Sequence, residues 1–243
     1  MTALVVGASS GLGRALANEL AHRRHDLLLV SSDARDLESL MADLSLRHGV
    51  MVRALALDLA GVADPGARIA AVLGGMAPLS ALLLPVGYSR EDDDFSLASP
   101  DIGQLLATNL HAPLAITHAL LPRLLETRGV IVLFGSVAAI RGRGRNVVYA
   151  AAKRGLVSLY ESLRQRYRPD ELRVQFYQLG FLATNLTWGM RLPMSAVDPS
   201  VVACMVADQL ARGSVFRHIP RKWAMIAIII RALPWAIYRR MRS

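Results

Sequence analysis

The chain has 243 residues, of which 53% are hydrophobic and 19% charged, so it can bury a large core and is not intrinsically disordered. Its one cysteine, Cys204, excludes a disulfide framework and a cysteine-rich metal site, and no metal site of another kind is predicted. The net charge of +9 comes almost wholly from residues 212–243, because no acidic residue follows Asp208. This distribution argues against a nucleic-acid-binding protein.

A glycine-rich turn follows the first predicted strand. Residues 3–6 form a continuous apolar run, typical of a strand in a parallel sheet, and so early a strand leaves no room for a secretory leader, which favours a cytoplasmic protein. Strand, glycine turn and a helix over residues 14–22 together predict a pyrophosphate site at a helix N-terminus. An ordinary glycine turn is the alternative. The predicted contacts are Gly7, Ser9, Ser10, Gly11, Leu12 and Gly13.

The residues after the next two predicted strands concern the adenosine end of a dinucleotide. Ser31 and Ser32 follow a strand at residues 27–30, and their hydroxyls suit the extra phosphate of NADP(H). Asp33 lies where an acid that binds the ribose of NAD(H) is expected, so the pattern favours NADP(H) over NAD(H) without excluding the latter. Asp58 follows the third strand and suits the adenine amine, with a turn or helix-capping role as the alternative.

Four polar residues follow in the middle of the chain. Asn109 lies in a predicted helix over residues 101–120, between the fourth and fifth strands, and Ser136 ends the fifth strand. Tyr149 and Lys153 are four residues apart in a predicted helix, so both side chains lie on one face. An ammonium beside a phenol stabilises the phenolate and lowers the pKa of the tyrosine, which prepares it for acid–base work.

These residues, in this order and spacing, resemble the short-chain dehydrogenase/reductase family over roughly residues 3–210. The resemblance implies a Rossmann-like α/β fold, a doubly wound parallel sheet with helices on both faces, in a single catalytic domain of residues 1–211. It implies an NAD(P)-dependent oxidoreductase, often a homodimer or homotetramer.

The resemblance also assigns roles to residues. Tyr149 protonates the alkoxide that forms when a ketone accepts hydride, and Ser136 binds the carbonyl oxygen. Lys153 lowers the pKa of the tyrosine and holds the nicotinamide ribose, and Asn109 keeps a water in the proton relay. Further cofactor contacts are Leu59, Gly87, Gly180, Leu182 and Thr184. The chain departs from the family after the fourth strand, where Leu84-Pro85-Val86-Gly87 replaces the usual Asn-Asn-Ala-Gly.

Two segments bear on the substrate. The loop over residues 181–195 is apolar and includes Trp188 and Met190, which predicts either a lid over the substrate or packing against the core or a partner subunit. Arg143 and Arg145 lie in an arginine-rich loop between Ser136 and Tyr149. Arginine forks suit phosphate oxygens, and a solvated loop is the alternative.

The C-terminal tail, residues 212–243, is basic and apolar. Its apolar runs, 223–230 and 232–238, are too short and broken to span a bilayer. Their tryptophans, tyrosine and flanking arginines suit a segment lying at the inner face of a membrane. A segment buried in a subunit interface is the alternative.

A narrower resemblance connects these features. The segment RGRGRN before Tyr149 and the ending RALPWAIYRRM are similar to the decaprenylphosphoryl 2-keto sugar reductases. This implies reduction of a carbonyl on a lipid-like, polyprenyl-phosphate-linked keto sugar. The alternatives are a reductase of 3-oxoacyl or other long-chain keto lipids, and a binding protein that senses NAD(P) without turnover.

Overall fold

A parallel sheet of seven strands forms the centre of the computed structural model, which describes residues 1–184 and 194–241. The strands are β1 (Thr2–Val6), β2 (Asp26–Ser31), β3 (Val52–Ala56), β4 (Leu79–Leu84), β5 (Val130–Ser136), β6 (Arg173–Leu179) and β7 (Val215–Ile219). Their order in the sheet is β3-β2-β1-β4-β5-β6-β7. The chain therefore builds the sheet outward from β1 on one side and then from β4 on the other.

Helices cover both faces of this sheet. They are α1 (Gly11–His22), α2 (Ala34–His48), α3 (Pro65–Leu73), α4 (Ser99–Leu106), α5 (Ala112–Glu126), α6 (Val147–Arg166), α7 (Pro199–Gln209), α8 (Lys222–Ala232) and α9 (Trp235–Tyr238). Side chains alternate along each strand, so Ala3 and Val5 pack with α1, α2 and α7, whereas Leu4 and Val6 pack with α3, α5 and α6. The predicted doubly wound fold is confirmed.

The crevice for a ligand follows from the strand order. Because β1 pairs with β2 on one side and with β4 on the other, the crossovers after β1 and β4 leave the sheet in opposite directions. Open α/β sheets bind ligands outside the carboxyl ends of the strands at this switch point. The glycine turn after β1 and the segment after β4 both lie there.

Two elements differ from the sequence prediction. The predicted helix over residues 101–120 consists of α4, a π-helical turn (Ala107–His111) that holds Asn109, and α5. The predicted division at residue 211 does not coincide with an edge of the fold, because β7 lies beyond it and pairs with β6. β7 was missed because its sequence, VFRHI, holds two consecutive polar residues, Arg217 and His218, and is only partly buried, so it lacks a continuous apolar run.

Candidate active site

The turn between β1 and α1 is shaped to receive a phosphate group. Gly7 has a φ of 89°, in the region that favours glycine. A Cβ on Gly13 would lie 1.9 Å from the carbonyl oxygen of Gly7, so a larger residue is excluded. Since α1 begins at Gly11, its first amide groups and the positive end of its dipole meet this turn. The residues present therefore fit a pyrophosphate.

The adenosine end of the crevice is lined by hydroxyl groups. The Ser9 and Ser31 side-chain oxygens lie 2.7 Å apart, and Ser32 lines the same cleft. The Asp33 carboxylate accepts a hydrogen bond from the amide of Asp36 at 2.9 Å and caps α2. The Asp58 carboxylate accepts from the amide of Ala60 at 3.0 Å while also lining the cleft. Asp58 therefore has the turn role that the sequence analysis gave as an alternative, and it also lines the cleft.

The ammonium group of Lys153 is buried near the carboxyl ends of β4 and β5. The residue is 3% exposed, and its Nζ donates to the carbonyl oxygen of Val86 at 2.8 Å. Burial lowers the pKa of Lys153 to about 8, because a charge is disfavoured away from water. Because a main-chain oxygen accepts this hydrogen bond, the bond does not depend on the side chain at position 86. It therefore forms although the family's usual Asn-Asn-Ala-Gly is replaced in this segment.

Tyr149 lies one turn before Lys153 on α6. Burial raises the pKa of Tyr149, and the hydrogen bond with Ser136 and the positive charge of Arg143 oppose this shift. The lysine Nζ lies 5.8 Å from the centre of the tyrosine ring. The prediction that the pKa of Tyr149 is lowered is therefore wrong for the chain alone, because desolvation outweighs the nearby charges.

The start of α6 is fixed by a residue from a distant loop. Asp93 is 1% exposed, and its carboxylate oxygens accept hydrogen bonds from the amides of Val148 and Tyr149, both at 2.9 Å. The local capping position, Asn146, has a φ of 52°. Asp93 thus serves as the N-terminal cap of the helix that carries Tyr149, and the sequence analysis missed it because the two positions are distant in sequence.

Asn109 is fully buried in the π-helical turn. Its Nδ2 donates to the carbonyl oxygens of Tyr88 at 2.7 Å and Leu105 at 3.0 Å, and its Oδ1 accepts from the amide of Tyr88 at 3.1 Å. These bonds tie the segment after β4 to the helix. The part in a proton relay that the family resemblance implies stays a prediction.

A cleft of about 1000 Å³ joins these parts. Of the predicted site residues, those that line it are Gly7, Ser9, Ser10, Gly11, Leu12, Gly13, Ser31, Ser32, Asp58, Leu59, Gly87, Ser136, Arg143, Tyr149, Lys153, Gly180, Leu182 and Thr184. Thr184 meets the glycine turn, since a Cβ on Gly11 would lie 3.1 Å from its Cγ2. Trp188 and Met190 lie outside the described residues.

The arginine-rich loop places its three guanidinium groups differently. Arg143 is half-buried in the cleft, and its Nε is buried without a hydrogen-bond partner among the described residues; burial lowers the pKa of this arginine. Arg145 is exposed and is not among the described residues that line the cleft. Arg141 lines the cleft but is bonded to the tail. Sequence alone gave no reason to separate the three.

The C-terminal tail forms one side of the cleft. The tail residues that line it are Trp223, Ile230, Tyr238 and Met241. Trp223 packs with Ile140, and the two described ends of the apolar loop, Phe181 and Met194, pack against the same cluster. Phe181 also lines the cleft, so the choice between a lid and core packing for this loop stays a prediction. Among the described helices, none has the length and apolarity needed to cross a bilayer.

The fold and the site together define a dinucleotide-dependent oxidoreductase. A glycine cradle lies at the switch point of a doubly wound sheet, and a serine, a tyrosine and a lysine lie in the same cleft. A family model described as short chain dehydrogenase matches residues 1–194. The chain belongs to this family and is an NAD(P)-dependent oxidoreductase, so the interpretation as a binding protein without turnover is wrong.

Individual relatives agree with this assignment. The chain is 29% identical to an uncharacterized oxidoreductase of Myxococcus xanthus, over 99% of this chain and 97% of that one. It is 28% identical to a 3-oxoacyl-[acyl-carrier-protein] reductase of Bos taurus, over 75% and 76%. A short-chain dehydrogenase of Sphingobium yanoikuyae, solved in complex with NADPH, superposes with a TM-score of 0.83 at 26% identity, covering 100% of this chain and 96% of that one.

Proposed function

We propose that the chain reduces a ketone to an alcohol with NADPH on a lipid-like substrate that it takes from a membrane surface. The observation that carries this proposal is that the tail both lines the cleft and forms an exposed apolar surface. Ile230, Tyr238 and Met241 line the cleft that holds Tyr149 and Ser136, and the outer side of the same segment exposes apolar residues.

The chemistry follows from the arrangement of the polar residues. Bound nicotinamide supplies the hydride that adds to the carbonyl carbon. Ser136 donates a hydrogen bond to the carbonyl oxygen, and Tyr149 transfers its phenolic proton to that oxygen as negative charge develops on it. A phenol is protonated at neutral pH, and burial raises the pKa of Tyr149 further, so the residue holds the proton that the reducing direction needs. Lys153 holds the nicotinamide ribose, and Asn109 braces the neighbouring segment.

Four observations support NADPH over NADH. Ser31 and Ser32 line the adenosine end of the cleft, and the Asp33 carboxylate is engaged in capping α2. Arg14 donates to the carbonyl oxygen of Ser9 at 2.8 Å and pairs with Asp36 at 3.0 Å, so a guanidinium adjoins the residue whose hydroxyl contacts Ser31. The Sphingobium yanoikuyae relative binds NADPH.

The outer face of the tail supports contact with an anionic lipid surface. The exposed apolar side chains on it are Met225, Ile228, Ile229, Trp235 and Ile237, and the exposed cations beside them are Arg221, Lys222, Arg231, Arg239 and Arg240. We name this set the outer face. Apolar residues flanked by cations are typical of helices that lie in a membrane interface.

Two substrate classes are supported by different observations. The Nε of Arg143, which has no hydrogen-bond partner among residues 1–184 and 194–241, supports a phosphate-bearing substrate such as a polyprenyl-phosphate-linked keto sugar. The names of several relatives, 3-oxoacyl reductases of Bos taurus and other species, support the alternative of a 3-oxoacyl or long-chain keto lipid. A homodimer or homotetramer stays a prediction.

The test is NADPH and NADH oxidation by the purified chain at matched concentrations, with and without a polar-lipid extract. We expect NADPH consumption that requires the lipid, and a loss of about 10²–10⁴-fold with Tyr149→Phe, the usual range for a missing general acid. Turnover of small soluble ketones with no response to lipid would identify a carbonyl reductase of soluble substrates instead.

Arg143→Gln separates the two substrate classes within the same assay. For a phosphate-bearing lipid, kcat/KM should fall about 10- to 100-fold, the size of a lost hydrogen bond to a charged group. Arg145→Gln is the matched control, because Arg145 is exposed on the same loop. Because the charge of Arg143 also acts on Tyr149, a small soluble ketone serves as the reference, and an equal effect on both substrates would favour the 3-oxoacyl or keto-lipid substrate.

A further inference from the structure

Arg141 makes a dense set of contacts with the C-terminal tail. Its Nη1 donates to the carbonyl oxygens of Ile230 at 2.8 Å and Leu233 at 2.6 Å, both at the C-terminal end of α8. A cation is favoured at that end of a helix, where carbonyl groups lack partners within the helix. The guanidinium carbon also lies 4.2 Å from the centre of the Tyr238 ring and 5.6 Å from that of Trp235, within the range of cation–π attraction.

The tail also donates a hydrogen bond to the arginine-rich loop. The Tyr238 hydroxyl donates to the carbonyl oxygen of Gly142 at 2.9 Å, next to Arg141 in sequence. The other end of α8 is fixed independently, because Trp223 occupies the space beside Gly180, where a Cβ would lie 2.2 Å from its Nε1. The segment is therefore held at its start by apolar packing and at its end by Arg141 and Tyr238.

The end held by Arg141 is the part that forms the cleft. Ile230 and Tyr238 line the cleft together with Ser136 and Tyr149. The loop of Arg141 also carries Arg143, whose positive charge opposes the rise in the pKa of Tyr149. Loss of the Arg141 contacts would thus remove one side of the substrate region while leaving the glycine turn untouched.

We propose that Arg141 is a positioning residue that fastens residues 230–241 against the arginine-rich loop and so makes the tail a wall of the substrate cleft. An arginine is needed, because one guanidinium both donates to two carbonyl oxygens and stacks on aromatic rings, whereas the point charge of lysine cannot do both. This assigns the residue a part in substrate binding and none in cofactor binding. The inference rests on the proposed ketone reduction only for its kinetic readout.

The test compares Arg141→Gln with the wild-type full-length chain. The expected result is a KM for the ketone raised about tenfold or more, the effect of a lost charge-assisted hydrogen bond, with the Kd for NADPH unchanged by fluorescence titration. Arg141→Lys should recover only part of the loss. Arg145→Gln, an exposed residue of the same loop, is the control and should leave both constants unchanged.

Two further measurements separate docking from general stability. Tyr238→Ala should raise KM in the same way, and the double variant with Arg141→Gln should be no worse than the stronger single variant, because both fasten one wall. Amide hydrogen exchange over residues 229–241 should become faster in Arg141→Gln, and this readout needs no substrate. A change in exchange decides the docking even if no ketone is reduced.

The overturning outcomes are distinct. An unchanged KM together with unchanged exchange in Arg141→Gln would show that the wall does not depend on this residue. If Arg141→Gln lowers the NADPH affinity and the Tm while it raises KM, the residue has a structural role in the whole fold, which also overturns the proposal. In either case lipid-dependent turnover by the wild-type chain would leave the proposed function standing.

Discussion

Lys153 is the one buried cation among the described residues, and its position costs stability at neutral pH. The pKa falls from 10.5 to about 8, so the unfolded chain binds more protons than the folded chain between these two pH values. The free energy of unfolding should therefore rise with pH across that window, since stability rises wherever the unfolded state holds the extra proton. The cost is fully present below pH 8, where the enzyme would bind its cofactor.

Lys153→Met should remove this pH-dependent increment. From the shift between the two pKa values, wild type should gain roughly 3 kcal/mol relative to the variant between pH 8 and 10.5. Denaturant unfolding at several pH values measures the difference. Lys222→Met is the matched control, because Lys222 is the other lysine of the chain and is exposed. Parallel pH profiles for wild type and Lys153→Met would contradict the assignment.

Helix α6 is positioned by a residue that lies outside the helix. Asp93 is buried, and its loop is further held by ion pairs of Arg90 with Asp92 at 2.8 Å and with Asp101 at 2.7 Å. The Asp93 carboxylate accepts hydrogen bonds from amides that a helix leaves unpaired at its N-terminus. Its negative charge also interacts favourably with the positive end of the helix dipole. The orientation of Tyr149 over the cleft thus depends on the segment after β4.

Asp93→Ala should destabilise the chain by about 1–2 kcal/mol, the usual effect of losing a helix cap, and should lower kcat because the amide of Tyr149 loses its partner. Asp93→Asn keeps one acceptor oxygen and should retain more of both. Asp94→Ala, at an exposed neighbouring position, is the control for stability and rate. Full kcat in Asp93→Ala would mean that the tyrosine is positioned without this cap.

At the scale of the whole molecule, the tail joins an exposed apolar and cationic surface to the cleft. The outer face carries exposed isoleucines, with Ile228 at 69% and Ile237 at 53% exposure, while the inner side of α8 buries Trp223 and Ala227. A helix with one side packed on the protein and one apolar side exposed beside cations can attach the molecule to a surface without crossing it.

Ile228→Glu with Ile237→Glu should weaken binding to vesicles of mixed phosphatidylglycerol and phosphatidylcholine by at least about tenfold, because each buried isoleucine contributes about 1.5–3 kcal/mol. Cosedimentation measures it, and raising the salt concentration should weaken wild-type binding as well. Leu46→Glu is the control, since Leu46 is equally apolar and 88% exposed on α2. Equal sedimentation of wild type and the double variant would refute attachment through the outer face.

The sequence by itself determined the parallel sheet, the glycine turn and the positions of Ser136, Tyr149 and Lys153. Buried parallel strands read as continuous apolar runs, and a turn that must approach a phosphate requires glycine at fixed spacing, so these features are local. The partly buried edge strand β7 was not predicted, because its adjacent polar residues Arg217 and His218 interrupt the apolar run on which the prediction depends.

Only the tertiary structure decided which charged residue does what. Arg141, Arg143 and Arg145 are equivalent in sequence, yet one binds the tail, one enters the cleft and one is exposed. The cap of α6 comes from Asp93, far away in the chain, and the pKa of Tyr149 is set by burial. Each of these outcomes depends on contacts between distant segments and on the loss of water around a charge, neither of which spacing along the chain encodes.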